Sequence, residues 1–206
     1  MGWEKERFLL ETKFSIMPRS DDERSKHRMF HGNLSREDPT SLIEKFGIKN
    51  GMRVVDLGSG IGFYTIPIAK AVGPGGQVFA LDIDLGSLQS IKDRTREDGI
   101  SNVSVMRCNI EMLPFKDKKI DVVFLANVFH DVDDRNALLM DINRVLKRPG
   151  LVIDFDWADI MTDYGPPLYL RINENVARKT FEEAGFRTIR SMHIQDHHYA
   201  LIFALS

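Results

Sequence analysis

The feature that most limits what this chain can fold into is the run Val54-Val55-Asp56-Leu57-Gly58-Ser59-Gly60-Ile61-Gly62-Phe63. An apolar, β-branched stretch gives way to glycines at alternate positions, and a helical pattern follows. Glycine tolerates positive φ and lets a ligand approach the backbone with no Cβ in the way. The run therefore reads as a strand turning into a helix around a bound group. Spacing narrows the ligand. A dinucleotide loop requires G-x-G-x-x-G/A, and counting from Gly58 its last position is Phe63, which leaves an NAD-linked oxidoreductase as an outside alternative. A phosphate-cradling loop requires Gly-Lys-Ser/Thr before its helix, and that is missing. What stands is D-x-G-x-G-x-G, with Asp56 ahead of the first glycine.

The rest of the chain alternates in the way such a loop demands. Asp38-Pro39 offers an N-cap and a first-turn proline, and Leu42, Ile43 and Phe46 keep helical spacing until Gly47. Strands are expected over 52–57, 77–83, 103–107, 120–126 and 151–155, and helices over 61–72, 85–98 and 133–146. Strict alternation implies right-handed crossovers and a mostly parallel sheet covered on both faces. The end differs: after a helix over 173–184, strands over 186–194 and 197–205 are separated only by Gln195-Asp196, which forces an antiparallel hairpin. The expected fold class is α/β: a Rossmann-like, doubly wound, mostly parallel seven-stranded sheet ending in an antiparallel hairpin strand. Asp84 reads as the cap of the helix that follows it.

Four segments carry chemistry in order. The glycine run is first. The second strand, Val78-Phe79-Ala80-Leu81-Asp82-Ile83-Asp84, ends in a carboxylate that can accept from two neighbouring hydroxyls. Then come Cys108-Asn109-Ile110-Glu111-Met112-Leu113-Pro114-Phe115 and Asp121-Val122-Val123-Phe124-Leu125-Ala126-Asn127-Val128-Phe129-His130-Asp131. Together these resemble the motifs of the class I S-adenosylmethionine-dependent methyltransferases, over about residues 38–206. The Leu113-Pro114-Phe115 turn is similar to that of the ubiquinone/menaquinone-biosynthesis C-methyltransferase group. Asp156-Trp157 followed by Gly165-Pro166-Pro167 resembles its small members with a short carboxyl end.

The resemblance implies transfer of a methyl group from S-adenosylmethionine, leaving S-adenosylhomocysteine. It implies a cofactor site made of Asp56, Gly58, Ser59, Gly60, Gly62, Asp82, Ile83, Asn109, Ile110 and Asn127. Asp82 is then the ribose-binding acid, Ile83 packs on the adenine, and Asn127 lies by the methionine end. Members commonly carry Asp where this chain has Asn109, whose side-chain carbonyl can still face the adenine amine. A ligand with a sulfonium and an amino group suits Asp56 better than it would a lysine. The Asn-Pro-Pro-Tyr signature of amino-group nucleic-acid methyltransferases is missing.

In an open α/β sheet ligands gather at the carboxyl ends of the strands. That places Asn127, His130, Asp131, Asp156 and Trp157 on the acceptor side, together with the Gln195-Asp196 turn, His197 and Tyr64. In the functional reading His130 or Tyr64 positions or deprotonates the acceptor, while Asp156, Trp157 and His197 contact it. In the plainer reading His130 caps the entry to the next helix and Trp157 is loop packing. No metal is expected, since the spacing of His130, Asp131, Asp156 and His197 matches no known ligand motif. The chemistry asks little of the protein, because holding two reactants at near-attack distance supplies about 7–11 kcal/mol.

Composition trims the remaining classes. A formal net charge of −2 advertises neither nucleic acid nor an anionic membrane as partner. The single cysteine, Cys108, excludes a disulfide framework and an arsenite-binding set of thiolates. No apolar run approaches the ~18 residues that span a bilayer, and no secretory leader is visible, so a soluble, cytoplasmic protein is expected. Residues 1–33, charged but carrying Trp3, Phe8, Leu9, Leu10, Phe14 and Phe30, read equally as a lid or as the arm of a homodimer; residues 34–206 form the methyltransferase domain. A small-molecule acceptor leads. A protein or RNA methyltransferase, or a non-catalytic cofactor-binding protein, is the alternative.

Overall fold

The computed structural model describes residues 38–109 and 112–206. The expected arm over 1–33 and the adenine-side Ile110 lie outside the described residues. The strands are β1 (Arg53–Leu57), β2 (Gln77–Asp82), β3 (Val103–Arg107), β4 (Ile120–Ala126), β5 (Leu146–Trp157), β6 (Phe186–Ile194) and β7 (His198–Leu205). They form one seven-stranded sheet in the order β3-β2-β1-β4-β5-β7-β6. β1 to β5 are parallel, and β7 runs antiparallel between β5 and β6. The doubly wound sheet with a closing antiparallel strand is therefore the observed fold. The strand order reverses between β1 and β4, which makes their carboxyl ends the natural crevice for a ligand.

The helices are α1 (Pro39–Lys45), α2 (Thr65–Val72), α3 (Leu85–Glu97), α4 (Arg135–Val145) and α5 (Glu174–Glu183). Four begin at a side-chain cap: Asp38 accepts from the Ser41 amide, Asp84 from Ser87, Asp134 from Ala137 and Asn173 from Asn175. α2 has no such cap, and it begins four residues later than the apolar spacing indicates. Gly58, Gly60 and Gly62 all sit at positive φ, so the chain cannot turn helical until it has passed them. Pro67 agrees with the late start, because a missing N–H is tolerated only in a first turn.

β5 is longer than expected. It pairs with β4 from Ile120↔Leu146, and the register shifts before Val122↔Leu151. Lys147-Arg148-Pro149-Gly150 has the composition of a turn but is absorbed as an irregularity within the strand.

Alternation along β5 sends its side chains to two cores. On one face Val152, Leu201 and Phe203 meet Leu138, Leu139 and Ile142 of α4 and Phe181 of α5, all buried. On the other, Phe46, following α1, packs on Phe124 and Phe155 at ring-centroid distances of 5.9 and 5.8 Å. Phe181 is fully buried and stacks on Phe203 at 4.2 Å and 8°, with Phe129 at 4.7 Å. Phe181→Ala is expected to lower unfolding free energy by about 3–5 kcal/mol, read as a shifted midpoint in urea at constant m value.

Candidate active site

The glycine loop is stitched to β2 by three successive amides. Those of Gly58 and Ser59 donate to the Leu81 carbonyl at 2.8 and 2.9 Å, and that of Gly60 donates to Asp82 Oδ2 at 2.9 Å. Asp82 Oδ1 accepts from the Asp84 amide at 2.9 Å. The carboxylate is thus fixed at both oxygens, and each keeps a lone pair for a further donor. The glycines serve different ends. A Cβ on Gly58 would lie 2.5 Å from a Val128 methyl, so that glycine lets the loop after β4 close on the loop after β1. A Cβ on Gly60 would meet nothing within 4 Å, so its φ of +49° is what calls for glycine there.

Around this loop are buried polar atoms with no hydrogen-bond partner among the described residues: Ser59 Oγ and Asn127 Oδ1. Asn127 sits just past β4 at φ +57°, its amide on the Phe155 carbonyl at 2.8 Å. Asp56 is buried and accepts from the Thr65 hydroxyl at 2.5 Å. Burial pushes its pKa up to about 7, against the lowering hydrogen bond from Thr65 and with a smaller push from the charge of Asp82. Ile83 and Asn109 follow β2 and β3 at the same edge, and both are exposed.

His130 and Asp156 are brought together. Asp156 is buried and accepts from His130 Nδ1 at 2.6 Å, from the His130 amide at 3.1 Å and from the Trp157 amide at 2.7 Å. Burial opposes its ionisation, but the charge and hydrogen bond of His130, with the two amides, outweigh that and hold the carboxyl below its usual range. His130 is itself buried, in a 3₁₀ turn over Phe129–Asp131. Asp134, not His130, caps α4. Tyr64 is not part of this cluster. Its ring lies against Phe124 and Phe155, and burial, then the charge of Asp56, drives its hydroxyl well above the usual tyrosine range.

Trp157, one residue on, points to the opposite face of the sheet. There it meets His198 at 4.1 Å and His197 at 5.6 Å between centroids, while the Tyr164 hydroxyl lies 3.3 Å from His197 Nδ1. Burial lowers the pKa of both histidines, that of His198 to about 3, so both rings are neutral at pH 7.

Sequence reasoning missed two residues here. The Arg171 guanidinium stands 4.9 Å from the Trp157 ring and donates to the carbonyls of Ala158, Ile160, Tyr164 and Pro166, holding the loop after β5 closed over Trp157. Gly165, at φ +88°, allows this: a Cβ there would come within 2.8 Å of the indole. Asp154 is fully buried on the same face as Asp156. Burial, then the charge of Asp156, drives its pKa well above the carboxylate range. The Asp-Phe-Asp-Trp alternation puts the two acids on one face, but which of them keeps its proton depends on His130, from another strand's loop.

A family model described as "Methyltransferase domain" matches residues 48–195. The ubiquinone/menaquinone biosynthesis C-methyltransferase UbiE of Shewanella oneidensis is 40% identical over 116 residues, which are 55% of this chain and 46% of that protein. The chain thus spans about half the length of the curated relatives it matches. Among solved structures, a SAM dependent methyltransferase from Aquifex aeolicus superposes with a TM-score of 0.83 at 27% identity, over 91% of this chain and 100% of that one. A putative type 11 methyltransferase from Sulfolobus solfataricus gives 0.67 at 27% identity, over 80% and 89%.

Asp56 gives the site a pH signature. Its folded pKa is raised to about 7 from an unfolded value of about 3.9. The stability it contributes is therefore fully present below the unfolded value and is lost as pH rises through the folded one. Asp56→Asn, which keeps an acceptor for Thr65, is expected to remove this dependence. The wild type should lose stability relative to the variant by roughly 1 kcal/mol per pH unit between about pH 4 and 7, measured by urea unfolding across that range.

Proposed function

The chain belongs to the methyltransferase domain family, and on that footing we propose that it transfers a methyl group from S-adenosylmethionine to a small, flat, apolar acceptor by in-line displacement. The observation that carries the reading is Asp82: a carboxylate at the end of β2, locked to the glycine loop through the Gly60 amide, with lone pairs left for a vicinal diol. The residues present fit the cofactor. Asp82 takes the ribose hydroxyls, and Ile83 and Asn109 border the adenine. Ser59 and Asn127, whose buried oxygens lack partners among the described residues, receive the amino-acid end. Asp56 favours a cationic group nearby, because ionising it in a dry site otherwise costs free energy.

When bound, S-adenosylmethionine supplies a methyl group already made electrophilic by its sulfonium. The protein's part is positioning and exclusion of water. We assign His130 a positioning role. Its ring and amide both engage Asp156, which fastens the loop carrying Asn127 to β5. Tyr64, with its hydroxyl far from titrating at neutral pH, has a packing role. Trp157 and His197, with Tyr164, form the apolar wall for the acceptor. The name of the Shewanella relative gives quinone biosynthesis and carbon methylation, and an aromatic ring acceptor of that kind suits a wall of neutral rings. A cytoplasmic location belongs to the same reading, with no helix among the described residues long and apolar enough to cross a membrane.

Asp82→Ala is expected to weaken S-adenosylmethionine binding at least 30-fold by calorimetry. Absence of binding by the wild type would sink the methyltransferase reading. Binding without methyl transfer to a panel of phenols, quinols, peptides and RNA would leave a non-catalytic binding protein, and transfer only to peptide or RNA would replace the small acceptor. For His130, the variants separate two roles. His130→Ala should weaken cofactor binding about tenfold, and His130→Asn, which can still donate to Asp156, should restore it and most of kcat. A histidine acting as a base would instead leave both variants equally slow with cofactor binding intact.

A further inference from the structure

At the amino ends of the parallel strands, away from the glycine loop, a cavity of about 390 Å³ opens between the segment after α1 and the β5-β7-β6 side of the sheet. The methyl-transfer reading makes no use of it. Its volume falls in the range of about 300–1,000 Å³ common to small-molecule sites. The floor is apolar: Phe46 and Ile202 are buried, and Met52 and Leu151 extend the same surface. At the mouth β6 is irregular. Its register with β7 slips between Thr188 and Arg190, and the bulge leaves Ile189 46% exposed beside the cavity.

Among the described residues the charges at the rim have one sign: Lys49 and Arg190 line the cavity, and no carboxylate does. Arg190 reaches the Lys45 carbonyl. Among the described residues neither Arg190 nor Lys49 is paired with an acid. Two cations beside an apolar floor form a surface complementary to a molecule with an anionic head and a hydrocarbon body, since a charge-assisted hydrogen bond to each cation adds to apolar burial.

We propose that this cavity binds a small amphipathic monocarboxylate, its chain on Phe46, Met52, Leu151 and Ile202 and its carboxylate between Lys49 and Arg190. The probe is octanoate, titrated into the full chain by calorimetry at low ionic strength. Saturable one-to-one binding is expected, with Lys49→Glu and Arg190→Glu each weakening it at least fivefold. Both side chains are exposed, so these variants should keep the wild-type circular dichroism melt. Octylammonium, of equal length and opposite charge, should not bind. Leu151→Trp, which fills the floor, should abolish octanoate binding. Three results overturn the proposal: octylammonium binding as tightly as octanoate, charge-reversed variants binding like wild type, or no saturable binding at all. The last is the outcome if a second copy of the chain is the true occupant.

Discussion

Most of the site depends on how the end of β2 holds the loop after β1. Three consecutive amides, of Gly58, Ser59 and Gly60, converge on Leu81 and Asp82. In an extended strand consecutive N–H groups point to opposite sides, and here the backbone leaves the β region at Gly58 and Gly60, both at positive φ. The arrangement fixes the Asp82 carboxylate, delays α2, and removes the Cβ that would otherwise keep Val128 away. Loop, acid and the neighbouring β4 turn are therefore set by one local constraint. That is why a short run of sequence carried so much of the fold.

Legibility followed the range of the forces involved. The starts of α1 and α3 were readable because caps are local: Asp38 and Asp84 bond amides three residues on. That of uncapped α2 was not. The hairpin was readable because two intervening residues leave the chain no other path. The length of β5 was not, since Lys147-Arg148-Pro149-Gly150 becomes strand only through pairing with Ile120 and its neighbours. In the site, Asp82 and the glycines were visible from spacing and resemblance. Arg171 was not, because its partners are carbonyls of an irregular loop, and nothing in the sequence marks a carbonyl as convergent.

The buried acids show how burial and pairing divide the work. Asp154 and Asp156 lie two residues apart on one strand face, both shielded from water. Two adjacent buried carboxylates do not both ionise cheaply. His130 decides between them by donating to Asp156 alone, which stays charged while Asp154 keeps its proton. A buried pair of this kind is weak evidence for stability, because desolvation offsets much of the attraction. What it does supply is geometry: the ring and the amide of one residue are held by one carboxylate, and the turn after β4 has a single placement.

That placement gives the Asp156-Trp157 dipeptide its significance. Through Asp156 the end of β5 fastens the loop carrying Asn127; through Trp157, on the other face, it anchors the loop that Arg171 folds over it. Methyl transfer from a sulfonium needs two partners aligned and water kept out, more than it needs a strong base. A strand end that holds one loop by a charge and the other by an aromatic ring meets that need with groups that do not have to change protonation state during the reaction. The neutral His197 and His198 fit the same logic, since uncharged rings beside an apolar wall cost little to keep dry. Specificity is then left to the shape of the loop between Ala158 and Arg171, whose Asp159 and Asp163 are exposed.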